Sequence, residues 1–200
     1  MSEKIKVAVI GCGTIANAAH IPSYLNCPDA EIKYFCDIIP ERADEAVKKY
    51  GCGTAVYDYH EILHDPEIQA VSVCTPNLMH STIACDFLRA GKNVLCEKTI
   101  TLNCKQLDEL IALAQKHNVF FMEAMWMKFI PAFRQAKEWV ASRRIGDIKL
   151  VRADLSSFCP YNPDNPYDRF YTNSLGGGSL LDLGVYPLTF ACDFLGYKPK

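Results

Sequence analysis

Short, continuously apolar runs recur along residues 1–124 and alternate with amphipathic stretches. Such a run is typical of a parallel strand that helices cover on both faces. The runs predict strands at residues 7–10, 31–36, 54–57, 70–74, 93–96 and 119–123. The stretches between them predict helices at residues 14–25 (interrupted near Pro22, which lacks an amide donor), 40–50, 59–64, 79–90 and, beginning at a Thr101 cap, 101–117. This alternation predicts a doubly wound parallel α/β sheet, whose ligand lies beyond the carboxyl ends of the strands.

The pattern changes after residue 124. An amphipathic helix is predicted around residues 133–140, a long strand over residues 146–157 and a last helix over residues 180–195. A single strand does not make a stable sheet, since three or more strands are generally needed. We therefore expect residues 125–200 to be the start of a second domain from which the strands that would cover residues 146–157 are missing.

Composition narrows the possible partners. The chain has 200 residues, half of them hydrophobic, and a net charge of −2. It has no basic run or basic aromatic stripe, which argues against nucleic acid and anionic membranes and favours a small, neutral or weakly charged substrate. The ten cysteines show no CxxC pair and no metal-ligand spacing. We therefore expect reduced core thiols in a cytoplasmic protein, with no metal site, signal peptide or membrane span.

The first predicted strand runs into two glycines and then opens a helix. Gly11 suits a tight turn, Gly13 lets the backbone approach a pyrophosphate, and the small Ala16 lets the helix pack closely on the strand. The free amides of the helix start, at Thr14 and Ile15, then face an anion. A glycine turn in an ordinary βα unit is the alternative, because this short string alone is a weak signal.

An acidic residue follows the second predicted strand. Asp37 lies roughly 20 residues past the glycines, where a carboxylate binds the adenosine ribose hydroxyls of a dinucleotide. An acid there repels a 2′-phosphate, so we favour NAD over NADP, although Arg42 is close enough to supply a phosphate partner after a loop shift. The alternative is that Asp37 is an N-cap or turn carboxylate before the helix at Pro40.

Three further side chains suggest chemistry. Lys98 ends a buried strand beside the expected cleft, whereas the alternative is an ordinary surface lysine. Asp182 and Tyr186 are four residues apart in the last predicted helix and so share one face. They follow three successive glycines, at 176–178, that permit close backbone approach. The alternative is a carboxylate placed for the helix dipole and a tyrosine that only fills an apolar face.

These motifs together resemble the Gfo/Idh/MocA (glucose-fructose oxidoreductase / inositol dehydrogenase) family. The resemblance rests on the glycine motif, on residues 75–80, on Glu97-Lys98 and on the GGGSLLDLGVYP segment at 176–187. Residues 123–131 resemble in particular its branch of dihydrodiol and xylose dehydrogenases. The family has proline after Glu-Lys where this chain has Thr99, and that branch commonly has an arginine where this chain has Ile38 after Asp37.

The resemblance implies a Rossmann domain, a mainly antiparallel α/β second domain and homodimers or homotetramers. It implies that Lys98, Asp182 and Tyr186 are catalytic and that Trp126 and Phe158 line the pocket of a sugar, polyol or dihydrodiol. The cofactor residues it implies, for NAD or NADP, are Gly11, Gly13, Thr14, Ile15, Asp37, Thr75, Pro76, Asn77, His80, Glu97 and Lys98.

The chemistry that these residues suggest is hydride transfer at a hydroxyl-bearing carbon. A tyrosine is a poor base at neutral pH unless a nearby ammonium favours the phenolate. We therefore hypothesise that Tyr186 exchanges the proton, that Lys98 promotes this and polarises the substrate oxygen, and that Asp182 orients the substrate or Lys98. A direct acid/base role of Lys98 remains an alternative. So does a different class of protein, a dinucleotide-binding regulator of the same fold without catalysis.

Overall fold

The computed structural model describes residues 3–162, 164, 170–173 and 176–197. The chain divides into two compact units, Met1–Ala124 and Met125–Lys200. No helix among these residues has the length and apolar character needed to cross a bilayer.

The first unit is built on a six-stranded parallel sheet in the order β3-β2-β1-β4-β5-β6. The strands are β1 (Ile5–Ile10), β2 (Ala30–Cys36), β3 (Thr54–Val56), β4 (Ala70–Val73), β5 (Asn93–Cys96) and β6 (Phe121–Glu123). This order confirms the predicted doubly wound sheet. The strand order reverses between β1 and β4, which is where such folds bind ligands.

Helices connect these strands. They are a π-helix (Ala16–His20) that continues into α1 (Ile21–Leu25), α2 (Pro40–Tyr50), a 3₁₀ turn (Tyr59–Ile62), α3 (Asn77–Arg89) and α4 (Cys104–His117). The interruption predicted near Pro22 is a wide turn just before the proline, closed by the Ile21 amide bonding to the Ala16 carbonyl. The predicted Thr101 cap of α4 is wrong. Asn103 caps α4, because its side chain accepts a hydrogen bond from the Gln106 amide.

β1 lies in the middle of the sheet and is buried on both faces. Val7 to Ile10 are at most 2% exposed, so the strand is covered on both faces as its unbroken apolar run predicts. One core cluster packs β1 and β4 against Phe87 and Leu88 of α3, and a second packs β1 and β2 against the helix after the glycines. The rigid sheet therefore fixes the positions of the residues at its carboxyl edge.

The regular secondary structure among the described residues of the second unit is helical. It contains a 3₁₀ turn (Trp126–Phe129), α5 (Pro131–Ala141), a π-helix (Leu180–Gly184) and α6 (Val185–Leu195). Phe133 of α5 packs edge-on against Phe190 and Phe194 of α6, with ring centroids 5.8 and 5.6 Å away.

A buried carboxylate also ties these elements together. The Asp193 side chain is 1% exposed and pairs with the ammonium groups of Lys128 and Lys137 at 3.1 and 3.3 Å. Burial raises its pKa, but hydrogen bonds from Tyr197, Lys128 and Lys137 outweigh this, and the net pKa is lowered. Asp193 therefore stays charged and linked at neutral pH.

The strand predicted over residues 146–157 is wrong in this structure. Those residues form no strand, and none of the described residues of the second unit does. A strand needs a neighbour for its backbone N–H and C=O groups, and no described segment pairs with this one. The antiparallel sheet of the second domain stays a prediction.

Candidate functional site

The glycine turn after β1 has the shape that a dinucleotide pyrophosphate requires. Gly11 adopts φ +93°, and a Cβ there would lie 2.8 Å from the Cys74 carbonyl group, so no other residue fits without a backbone shift. A Cβ on Gly13 would meet no atom within 4 Å, which leaves open space beside the turn. Thr14 and Ile15 are exposed in the first helical turn that follows. The turn therefore leaves room for an anion where the helix begins.

Asp37 ties this turn to the end of β2. Its Oδ2 accepts a hydrogen bond from the Cys12 amide at 2.8 Å, and its Oδ1 accepts one from the Ile39 amide at 2.9 Å. The bond to the Ile39 amide makes Asp37 a turn carboxylate before α2, as one alternative predicted. The N-cap alternative is wrong, because Ile39 occupies the N-cap position of α2. These bonds hold the carboxylate beside the turn, and a direct bond to a ribose stays a prediction.

The Cys12 thiol, which lies within the glycine turn, is unreactive at neutral pH. Burial, followed by the nearby Asp37 charge, raises the pKa of Cys12 to about 12. The thiol therefore stays protonated at neutral pH and is no nucleophile.

Thr75 follows β4 on the other side of the strand-order reversal. Its hydroxyl oxygen is buried and has no hydrogen-bond partner among the described residues, although buried hydroxyls are normally paired. Its backbone nitrogen lies 3.0 Å from the position of a Gly11 Cβ. The unpaired Thr75 hydroxyl lies next to the open glycine turn and could bond to a polar group of a bound dinucleotide, so these residues fit that cofactor. Pro76 and Asn77 follow directly as the N-cap and first residue of α3.

His80 does not face the open space. The side chain is fully buried, and its two ring nitrogens contact the Thr75 and Thr99 carbonyl oxygens, each at 2.8 Å. Burial lowers the pKa of His80, while the two carbonyl acceptors act in the opposite direction. Any contribution of His80 to cofactor binding would be indirect, through the backbone at Thr75 and Thr99.

Lys98 lies just beyond β5, and hydrogen bonds fix the chain around it. The Lys98 amide donates to Glu97 Oε2 at 3.1 Å, and the Ile100 amide donates to Glu123 Oε1 at 3.0 Å. The Lys98–Thr99 peptide bond is cis. Glu97 is itself buried, and its Oε1 lies 2.7 Å from His20 Nε2. The sheet and these bonds together hold Lys98 at the carboxyl edge where it is predicted to act.

His20 and Ser72 were not predicted as site residues. The other ring nitrogen of His20 lies 2.7 Å from the hydroxyl of Ser72 on β4. One sequence signal was available, because His20 lies four residues after Ala16 and so shares the buried face of the helix that follows the glycines.

In the second unit, two of the predicted residues are in contact. The Trp126 indole N–H donates a hydrogen bond of 2.9 Å to the Tyr186 hydroxyl oxygen, and the rings pack edge to face with centroids 5.8 Å apart. Asp182 belongs to the π-helix that continues into α6, so it shares one helical run with Tyr186. Phe158 is 92% exposed and lies outside helices and strands, so its pocket role stays a prediction.

Family models match both units of the chain. Residues 5–125 match the model of the oxidoreductase family with an NAD-binding Rossmann fold, and residues 133–200 match a Gfo/Idh/MocA C-terminal domain. The chain belongs to the Gfo/Idh/MocA oxidoreductase family. Its first domain is therefore an NAD-binding Rossmann domain, as the glycine turn and sheet order indicate.

Two of the similar curated relatives are dehydrogenases by name. The chain is 37% identical over 159 residues to the trans-1,2-dihydrobenzene-1,2-diol dehydrogenase of Danio rerio, a match that covers 79% of this chain and 46% of the relative. It is 36% identical over 161 residues to the enzyme of the same name from Xenopus laevis, covering 80% and 47%. The chain thus spans about half the length of these curated relatives.

Solved structures of the family share the fold. A 3-ketoreductase from Actinomadura kijaniata, crystallised with NADP and TDP-benzene, superposes with a TM-score of 0.84 at 31% identity, covering 97% of this chain and 58% of that one. An aldose-aldose oxidoreductase from Caulobacter crescentus superposes with a TM-score of 0.83 at 24% identity, covering 98% and 59%, and shows likeness of fold alone.

Proposed function

We propose that the protein is an NAD(P)-dependent dehydrogenase that acts on the hydroxyl-bearing or carbonyl carbon of a cyclic diol, polyol or sugar. The observation that carries this proposal is the place of Lys98 at the carboxyl edge of an NAD-binding Rossmann sheet, where Glu97 accepts its backbone amide and Glu123 accepts the amide of nearby Ile100. A regulator that only binds a dinucleotide has no need of a lysine at this position.

Each chain residue in the proposed reaction has a separate task. When bound, the nicotinamide accepts hydride in oxidation or donates it in reduction. The Lys98 ammonium stabilises the negative charge that develops on the substrate oxygen during oxidation. The Tyr186 hydroxyl exchanges the proton of that oxygen, and Asp182 orients the substrate.

Trp126 supports the task proposed for Tyr186. Because the phenol oxygen accepts the indole N–H, its own O–H proton is directed away from Trp126. Trp126 is also 55% exposed, so its ring can form one wall for an apolar substrate. Together with the names of the relatives, this favours a trans-1,2-diol of an unsaturated ring as the first substrate to test.

The proposed activity is tested by following nicotinamide absorbance with the purified full-length protein. The panel contains a trans-dihydrodiol, an inositol and several aldoses, each with NAD and with NADP. We expect turnover with the dihydrodiol or with at least one sugar. Tight dinucleotide binding without turnover of any of these compounds would instead support the regulator.

We further propose a cytoplasmic homodimer or homotetramer. All ten cysteines are free, which supports a reducing compartment. The oligomeric state is checked by light scattering on the eluted protein.

Cofactor preference leads to a prediction about Asp37. We expect Asp37→Asn to shift the ratio of kcat/KM for NADP to that for NAD about 10- to 100-fold towards NADP, because two like charges at close range repel strongly in a partly buried site. Asparagine keeps an oxygen that can accept one of the two backbone amides. Kinetics with both cofactors measure the shift.

Asp44→Asn is the matched control for this change. It removes the same charge from α2, where Asp44 accepts the hydroxyl of Tyr57 at an exposed position. The ratio should stay constant in this control. An unchanged ratio in Asp37→Asn would show that the carboxylate does not select the cofactor.

A further inference from the structure

A chain of buried, hydrogen-bonded polar side chains links three neighbouring parts of the Rossmann domain. It runs from Ser72 on β4 through His20, which ends the π-helix after the glycine turn, to Glu97 beyond β5. The last link is the Lys98 amide, which donates a hydrogen bond of 3.1 Å to Glu97 Oε2. The side chains of His20 and Glu97 are 7% and 9% exposed, and Ser72 is fully buried.

The direction of these bonds follows from the chemistry of the groups. A carboxylate oxygen accepts, so His20 Nε2 carries a proton and donates to Glu97. Nδ1 is then paired with the Ser72 hydroxyl, which can donate to it and so fixes the tautomer and the plane of the ring. Both oxygens of Glu97 are thereby committed, one to the imidazole and one to the Lys98 amide.

Protein stability alone does not explain why Ser72, His20 and Glu97 are buried and hydrogen-bonded together. A carboxylate and an imidazole are costly to bury, and replacing such a pair by apolar side chains of similar volume often leaves a protein as stable or more so. What apolar side chains cannot do is hold the backbone immediately before Lys98 by a directional bond. On the other side of Lys98, the Thr99 carbonyl contacts the buried ring of His80.

We propose that His20, oriented by Ser72, is a positioning residue that fixes the Glu97 carboxylate and, through it, the backbone at Lys98. The proposal rests on the proposed function, because it takes Lys98 as the group that acts on the substrate. His20 does not touch the substrate in this proposal. Its effect on the reaction comes entirely from where it holds its neighbours.

The test compares His20→Leu, which removes the donor, with His20→Gln, whose amide N–H can replace Nε2–H towards Glu97. Hydrogen exchange of the Lys98 amide, followed by NMR, is the readout that does not depend on activity. We expect exchange about tenfold faster in His20→Leu, since the carboxylate that accepts this amide is no longer held. His20→Gln should restore most of the protection. The Ile100 amide, which bonds to Glu123, is the internal control and should not change.

Kinetics provide the second readout. We expect His20→Leu to lower kcat about 10²-fold with a much smaller change in KM, because a small misplacement of a reacting group affects the transition state most. His20→Gln should recover kcat together with the amide protection. A purely structural role would lower the melting temperature without separating kcat from KM.

A third variant covers the case in which His20→Leu does not fold. Ser72→Ala keeps the volume nearly constant and should speed Lys98 exchange in the same direction by a smaller factor, whereas Ser81→Ala makes the same change at another buried serine, on α3, and should not. Unchanged Lys98 exchange in folded His20→Leu or in Ser72→Ala would overturn the proposal. Absence of turnover in the wild-type protein would instead refute the proposed function and leave the exchange result to decide the role of His20.

Discussion

Lys98→Met is expected to lower kcat/KM by about 10²- to 10³-fold, the loss seen when one stabilising donor is removed from a developing oxyanion. Methionine keeps the length and apolar character of the lysine stem but removes the charge. The bonds on either side of Lys98 involve the amides of Lys98 and Ile100, not the lysine side chain, so they survive the change. The melting temperature should therefore change little.

Lys105→Met is the matched control for this variant. Lys105 is exposed in the first turn of α4, so the same chemical change there should leave turnover unaltered. Wild-type activity of Lys98→Met would remove the lysine from the mechanism. If Lys98→Met lost dinucleotide binding to the same extent as activity, the result would assign Lys98 to cofactor binding alone.

Tyr186→Phe is expected to lower kcat by about 10²- to 10⁴-fold, the usual contribution of a positioned proton-transfer group. Only the hydroxyl is lost, and the edge-to-face packing of the ring against Trp126 is retained. Trp126 is exposed, so water can replace the phenol oxygen as the partner of its indole N–H, and the cost to folding is small. Steady-state kinetics and a thermal melt separate the two effects.

Tyr161→Phe serves as the control, since it removes a hydroxyl from an exposed tyrosine of the same unit. The two main variants together also decide which group carries the proton. If Tyr186 does, its variant should lose more activity than Lys98→Met, and the reverse order would favour Lys98 as the direct acid or base. Full activity in both variants would contradict the proposed mechanism.

Much of the first unit was predictable because its signals are local. The apolar run of β1, the glycines that follow it and the polar residues that end each strand are all read within short windows. Gly11 shows why this works, since the φ of +93° and the close Cys74 carbonyl admit only glycine. Asp37 follows the end of β2 as predicted, and its bond to the Cys12 amide of the glycine turn is a contact that the local sequence did not show.

The buried polar chain was harder to predict because its partners are distant in sequence. His20 and Glu97 are 77 residues apart, and neither has a neighbouring residue that signals the other. The failed strand at residues 146–157 has a related cause. A segment's own residues can favour an extended backbone, but strand pairing depends on a partner strand that those residues do not specify. The contact between Trp126 and Tyr186 was likewise not apparent from their separate motifs.

The inert thiol in the glycine turn has a practical consequence for labelling. Alkylating reagents react with thiolates, so a maleimide dye or spin label added near neutral pH should spare Cys12. Cys27 and Cys104 are exposed and offer natural attachment points. Spectroscopic probes can therefore be attached to exposed native thiols while the thiol of the glycine turn stays unmodified.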